Sequence, residues 1–447
     1  MKVLIVNAGS SSLKYQLVDM DNEQMIVKGQ VERIAIEGSH LNQKTPDMSK
    51  VIDLYEPIPD HVVATKLMLR ALLDPEKGVL KSVDEIGAVG HRVLHGGEEF
   101  TASCIITDEV KAAIRKFIPL GPLHNPANLM GIEACEEVMP HTPQVAVFDT
   151  AFHQTMPPKA FMYGVPYRYY KEMGVRRYGF HGTSHRYVSK RVCEFLGVSP
   201  IGKKIIICHL GNGSSMSAVV DGKCVDTSMG LTPLEGVVMG TRSGSCDPAV
   251  VQFIANNDHM TVNEVLTMMN KQSGLMGISG LSSDMRDIDK AADEGNERAA
   301  LARDMLHYGI KKYIGSYAAA MGGVDIIAFT AGIGENGPEL RESVMKDMEW
   351  MGAKLDVEKN KVRGKEAVIS TDDSKVTICV IPTNEEIMIA RDTTELVEGA
   401  NKEVSVRQGL FRGGAQLFSG KRRFFPRKGV DKTREKTYNM KWSNLRW

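Results

Sequence analysis

Two arginines stand in glycine-rich, otherwise uncharged surroundings. Arg92 lies in Gly90-His91-Arg92-Val93-Leu94-His95-Gly96-Gly97, and Arg242 in Met239-Gly240-Thr241-Arg242-Ser243-Gly244. A guanidinium in such a setting needs a carboxylate or phosphate partner. Three further polar clusters stand among small and apolar residues. Pro122-Leu123-His124-Asn125-Pro126 is a rigid turn displaying His124. Phe148-Asp149-Thr150-Ala151-Phe152-His153 puts an acid at a strand end, and Tyr178-Gly179-Phe180-His181-Gly182-Thr183-Ser184-His185 leads into a helix. Any one of these histidines is more often structural than catalytic. The arginines are harder to dismiss.

Glycine-rich turns follow strand-like runs at residues 7–12, 209–215 and 332–337. Such turns offer backbone N–H groups at close range, with no Cβ to keep an anion away. One turn alone is an ordinary tight turn. Three of them suggest a phosphate chain gripped from both sides of a cleft. The third, Gly332-Ile333-Gly334-Glu335-Asn336-Gly337, also matches the G-x-G-x-x-G pattern of NAD enzymes. That pattern normally opens a first βαβ unit and is followed by an acid about 20 residues on. Here it comes late, and Asp356 sits in a polar stretch. An NAD-dependent dehydrogenase is therefore the alternative of another class. No G-x-x-x-x-G-K-[ST] loop is present, which argues against a P-loop kinase.

The elements that must hold these turns alternate strand and helix, an α/β pattern. Residues 2–6 read as a buried strand, 7–12 as a turn and 13–18 as a second strand ending at Asp19. Residues 204–208, 209–215 and 216–220 repeat this order and end at Asp221. The two Gly-Ser-Ser turns lie 204 residues apart, about half the folded chain. The echo predicts two related domains, each opening with a hairpin; two unrelated hairpins are the alternative. Strands are expected at 86–89, 145–148 and 325–330. Helices are expected at 183–196, capped by Thr183 or Ser184, at 289–321 with a break near Gly295, and at 338–350.

The chain has 447 residues and no formal net charge, but the balance is uneven. After residue 400 there are 13 Lys and Arg against 3 Asp and Glu, which leaves 42 against 52 in the first 400. The acidic body argues against a nucleic-acid partner. Seven scattered cysteines with no C-x-x-C pair fit a reducing, cytoplasmic setting. No signal peptide or membrane span is expected. The tail, 401–447, is basic and without period, and disorder is expected there.

These residues carry a resemblance to the acetate kinase family, within the superfamily of acetate and sugar kinases, Hsp70 and actin. The first carriers are Asn7-Ala8-Gly9-Ser10-Ser11-Ser12-Leu13-Lys14, Gly90-His91-Arg92 with His95-Gly96-Gly97, and the stretches 148–153 and 179–185. The others are His209-Leu210-Gly211-Asn212-Gly213, Gly240-Thr241-Arg242, Gly332-Ile333-Gly334-Glu335-Asn336 and Thr383-Asn384-Glu385-Glu386. The match covers nearly all of residues 1–400 and stops before the tail.

The resemblance implies duplicated RNase-H-like, actin-like ATPase domains with a cleft between them. The first spans 1–150, with 385–400 returning to it, and the second 151–384. It implies ATP-dependent phosphorylation of acetate to acetyl phosphate, with a propionate or butyrate kinase of the same fold as the near alternative. It places ATP/ADP against Ser10, Ser12, Lys14, His209, Leu210, Gly211, Asn212, Gly213, Asp284, Met285, Arg286, Gly332, Ile333, Gly334, Glu335 and Asn336. Asn7 and Glu385 are expected to hold Mg²⁺, with Mn²⁺ able to substitute. Arg92, Asp149, His181 and Arg242 are the expected catalytic residues. Arg92 would bind the acetate carboxylate, and Leu94, Leu123, Phe180 and Pro233 would enclose its methyl group near His124. Leu94 stands where relatives usually carry a smaller residue such as Val, which should favour acetate over longer acids. Met285 stands where they often carry Phe. A homodimer is expected by resemblance alone, with neither nucleic acid nor membrane as partner.

Overall fold

The central strands form because their sequences are apolar on both faces. In a computed structural model, which describes residues 1–122 and 124–414, Val3–Val6, Ile205–Leu210 and Ile326–Thr330 are buried without interruption. Strands of that kind belong in the middle of sheets covered on both sides. The first sheet holds β1 (Lys2–Gly9), β2 (Ser12–Asp19), β3 (Gln24–Glu32), β4 (His40–Lys44), β5 (Val51–Tyr55), β6 (Ile86–Val93), β7 (Cys104–Ile105) and β8 (Gln144–Phe148). The second holds β9 (Lys204–Leu210), β10 (Ser214–Val220), β11 (Lys223–Thr227), β12 (Ile326–Thr330), β13 (Ala367–Val368) and β14 (Thr377–Val380).

The two sheets repeat one plan. The order β3-β2-β1-β6-β8 in the first corresponds to β11-β10-β9-β12-β14 in the second. In both, the first three strands run antiparallel and the remaining pairings are parallel. The half-length echo is thus a duplicated α/β unit. Met1–Glu398 form one compact unit that contains both sheets.

Helices cover both faces of each sheet. On the first, Ala64, Leu67 and Met68 from helix His61–Leu72 and Cys135 from helix Asn125–Val138 pack on Leu4, Val6 and Val89. Ile387, Ile389 and Val397 of the final helix, Glu385–Gly414, pack on Val3, Ile5, Ala88 and Val147 of the opposite face. Gly90 permits this close approach, since a Cβ there would stand 2.5 Å from Thr393 Oγ1 and 2.6 Å from Ile389 Cγ2. On the second sheet, helix Gly182–Leu196 covers one face, while helices Met285–Asp293, Glu297–Met321 and Pro338–Met345 cover the other.

Several boundaries differ from the sequence expectation. β1 and β2 extend into the expected first turn, leaving only Ser10 and Ser11 between them, because the antiparallel register continues to Gly9 opposite Ser12. β6 extends through Val93, so Arg92 is a strand residue. The helix after Phe180 is not capped by Thr183 or Ser184. His181 is its N-cap, held at φ 57°. The third glycine turn is a short helix, Ala331–Asn336, entered through Ala331 at φ 62°. The expected long helix does break around Gly295. The helix at 338 stops at Met345 instead of 350. The final helix continues through Gly414, where an irregular tail was expected from 401; residues 415–447 lie outside the described residues. Among the described residues no helix is long and apolar enough to cross a membrane.

Candidate active site

The catalytic candidates gather at the C-terminal ends of the parallel strands, the usual ligand-binding edge of such sheets. Arg92 is near the end of β6, and Asp149 directly follows the neighbouring β8. The backbone joins them, with Asp149 N–H donating to Val93 O at 3.0 Å. The side chains then meet side-on. Arg92 Nε donates to Asp149 Oδ1 at 3.0 Å and Nη2 to Oδ2 at 2.6 Å. Asp149 has no exposed surface, while the Arg92 side chain is 26% exposed. The Asp149 carboxylate is the main reason the guanidinium holds its proton more tightly than usual, and Glu385 and Glu386 add to it.

Asp149 also anchors the next element. Its carbonyl accepts from Gly182 N–H at 2.9 Å, and a Cβ on Gly182 would stand 2.1 Å from that oxygen. This contact brings the N-cap His181 beside the strand end. The His181 ring stacks on His209 with centroids 4.2 Å apart, and its Nδ1 lies 2.9 Å from Ser215 Oγ. His209 Nδ1 lies 2.7 Å from Ser184 Oγ. Burial comes first in holding both imidazoles neutral, and cationic neighbours add to it. His181 falls well below 6.5 and His209 to about 4. His124, the N-cap of helix Asn125–Val138, is lowered by burial and by Arg92 and Arg242.

Arg242 differs from Arg92 in having no carboxylate partner among the described residues. Its Nη1 contacts only Pro233 O at 3.4 Å and Met239 Sδ at 3.9 Å. Desolvation lowers its pKa. It sits against the second glycine turn, since a Cβ on Gly213 would lie 3.4 Å from Arg242 Nη1 and 3.5 Å from His181 Nε2. The loop carrying Arg242 is clamped to the same turn, because Gly240 N–H donates to Asn212 O at 3.0 Å.

On the other side of that turn opens a cavity of about 570 Å³. It is lined by Gly211, Asn212, Asp284, Met285, Arg286, Gly332, Ile333 and Asn336, all expected at the nucleotide. The structure does not bring the remaining candidates to its wall. Leu210 is fully buried in the core. Gly334 is buried, and its carbonyl accepts from Arg341 Nη1 at 2.7 Å. Glu335 Oε1 accepts from Thr383 N–H at 3.0 Å, so this acid fixes the segment before Glu385. Ser10 is exposed in the first turn and Ser12 begins β2. Lys14 lines a different cavity, of about 320 Å³, together with Asn7 and Glu386.

Leu94, Phe180, Met229 and Met239 form a small buried apolar cluster. Leu94 and Phe180 were expected there. Pro233 is half-buried and touches Arg242 through its carbonyl, and Leu123 lies outside the described residues. Met229 and Met239 were missed, since two methionines in glycine-rich loops carry no local signal. Also missed were Ser184 and Ser215, whose hydroxyls meet the histidines only through the fold, and Thr383, whose hydroxyl meets Ser184.

Burial raises the Glu385 pKa, and Asp149 and Glu386 raise it further. Asp149, Glu385 and Glu386 thus act on one another and on the Arg92 guanidinium, and Glu386 lines a cavity with Asn7. An amide oxygen and carboxylates are hard donors of the kind a small divalent cation takes. No group of three or more His, Cys, Asp or Glu forms a complete metal cage among the described residues. The set suits a cation that keeps waters and takes further ligands from phosphate.

The Acetokinase family model matches residues 2–391. An acetate kinase from Desulfitobacterium hafniense (strain DSM 10664 / DCB-2) is 57% identical over 89% of this chain and 100% of its own. The crystal structure of Porphyromonas gingivalis acetate kinase superposes with a TM-score of 0.86 at 50% identity, over 89% of this chain and 99% of its own. A propionate kinase from Francisella tularensis superposes with a TM-score of 0.83 at 40% identity, over 88% and 99%. With a family match over nearly all of the first 400 residues, this chain belongs to the acetokinase family.

Proposed function

We propose that this protein is an acetate kinase, which transfers the γ-phosphoryl group of ATP to the carboxylate of acetate, reversibly giving acetyl phosphate and ADP. The observation that carries the reading is Arg242. It is a largely desolvated guanidinium with no carboxylate partner among the described residues, set beside a glycine turn and a neutral histidine.

A carboxylate is already a nucleophile, so the reaction needs little proton transfer. The difficulty is to bring one anion against another, which makes catalysis a matter of positioning and charge neutralisation. Asp149 holds two of the Arg92 N–H groups, which orients the guanidinium and leaves its other donors for acetate and the phosphoryl group. Asp149 is therefore an orienting residue, not a general base. Arg242 and His181 donate to the equatorial oxygens as their charge develops. The cavity behind Gly211 and Asn212 takes the nucleoside, with Asp284, Met285, Arg286, Gly332, Ile333 and Asn336 around it. Lys14 meets the phosphate chain from the first hairpin.

Asn7 and Glu385 would hold Mg²⁺, or Mn²⁺ in its place. When bound, the cation neutralises phosphate charge and orients the transferring group. The methyl group of acetate fits against Leu94, Phe180, Met229 and Met239. The smallness of that cluster and the 50% identity to the Porphyromonas gingivalis acetate kinase, against 40% to the propionate kinase, favour acetate. We further infer a cytoplasmic homodimer. The cysteines are all free, and Val250, Phe253, Val262, Leu301 and Tyr308 expose apolar surface for a second copy.

Coupled assays with acetate, propionate and butyrate, each with ATP or NAD⁺, test the reading. ATP-dependent turnover greatest with acetate is expected. Preference for a longer acid, or turnover with NAD⁺ alone, would overturn it.

A further inference from the structure

The site around His181 continues into the core as a row of alternating imidazoles and hydroxyls. His181 Nδ1 is 2.9 Å from Ser215 Oγ, Ser215 Oγ is 2.7 Å from His185 Nε2, and His185 Nδ1 is 2.8 Å from Ser217 Oγ. Local geometry explains the row. His181 and His185 are one helical turn apart, and Ser215 and Ser217 are same-face neighbours on β10. His185, Ser215 and Ser217 have no exposed surface.

Burial keeps both imidazoles neutral, so each carries one proton. A hydroxyl donates once and accepts twice, so three arrangements make all three contacts. The one in which Ser215 accepts from both rings leaves the buried Ser215 proton with no acceptor among the described residues and is costly. Two continuous directions remain. In the first, His181 Nδ1–H donates to Ser215, Ser215 to His185 Nε2, and His185 Nδ1–H to Ser217. The Ser217 hydroxyl proton is then left buried with no acceptor among the described residues, which is costly. In the second, Ser217 donates to His185 Nδ1, His185 Nε2–H to Ser215, and Ser215 to His181 Nδ1. Every buried donor then has an acceptor, and the one remaining N–H, on His181 Nε2, faces the glycine turn and Arg242.

We propose that Ser217, His185 and Ser215 are positioning residues that hold His181 as its Nε2–H tautomer, so that the ring offers the transferring phosphoryl group a donor and not a lone pair. The proposal rests on the role given to His181 above. The stacked ring is not fixed in this way. His209 Nδ1 faces Ser184 Oγ, itself 2.7 Å from Thr383 Oγ1, but Thr383 is only half-buried and that row can run in either direction. A lone pair at His181 Nε2 would repel phosphoryl oxygens, whereas an N–H adds to the arginine donors without adding charge.

Nitrogen-15 NMR of the full chain labelled at histidine tests this directly, with the His181 signals assigned by their loss in His181→Gln. The expected wild-type pattern is an unprotonated Nδ1 and a protonated Nε2. In Ser217→Ala, with one oxygen removed, the His181 tautomers should mix. kcat should fall by about two- to tenfold, in proportion to the competent fraction, with both KM values kept. Ser217→Thr, which retains the hydroxyl, should restore the pattern and the rate. A protonated Nδ1 in the wild type, or an unchanged His181 signal in Ser217→Ala, overturns the proposal alone. Full turnover in His181→Gln overturns the catalytic reading and the proposal together.

Discussion

His181 and His209 stack with ring centroids 4.2 Å apart and an interplanar angle of 29°. Two buried rings this close disfavour each other's protonation. In the proposed reaction, the positive charge that brings two anions together would therefore come from Arg92, Arg242 and a cation.

The two arginines should separate stability from activity. Arg92→Ala leaves the Asp149 carboxylate buried without its partner, at a cost of about 3–5 kcal/mol. Arg242→Ala strands no anion among the described residues and should cost less than about 1 kcal/mol. Both should lower kcat by about 10²–10³-fold. Urea unfolding alongside initial-rate assays reads both quantities. Near-full activity in either variant would sink the charge-neutralisation scheme.

Gly182→Ala should impair the site without touching a polar group. The new Cβ would meet Asp149 O at 2.1 Å, and neither backbone can give way without moving His181 or Asp149. A shift near 1 Å costs about 10²-fold in rate, and the overpacking about 1–3 kcal/mol. A variant with wild-type kcat and melting temperature would show that the contact does not position the catalytic groups.

Leu94→Val should widen the apolar cluster of Leu94, Phe180, Met229 and Met239. The ratio of kcat/KM for propionate to that for acetate should rise roughly tenfold, the usual worth of about one methylene. Competition assays with both acids measure it. An unmoved ratio would remove Leu94 from the methyl pocket.

Stability should fall on acidification. Burial lowers His91, His95, His153 and His307 from 6.5 to about 4. The folded chain keeps them neutral, so below pH 6.5 the unfolded chain binds more protons. Stability present above pH 6.5 is lost as the pH falls towards about 4, at up to about 1.4 kcal/mol per histidine per pH unit. Chemical unfolding at pH 5 and pH 7 should reveal the slope, and His153→Gln should reduce it. A stability that holds or rises on acidification would contradict the assignment.

Much of this protein was legible in its sequence because the signals are local. Continuous apolar runs mark the central strands, and the half-length echo marks the duplicated sheets. Arginines in uncharged glycine-rich stretches ask for anionic partners wherever they end up. The tertiary structure alone decided which groups meet. Arg92 and Asp149 are 57 residues apart and pair because β6 and β8 are neighbours. Ser215 and Ser217 reach the histidines because β10 lies under the helix that starts at Gly182. The third glycine turn is a helix, and Glu335 holds Thr383 instead of lining the cavity proposed for the nucleotide. No local period encodes such pairings, because each depends on the packing of elements distant along the chain and on glycines small enough to let them touch.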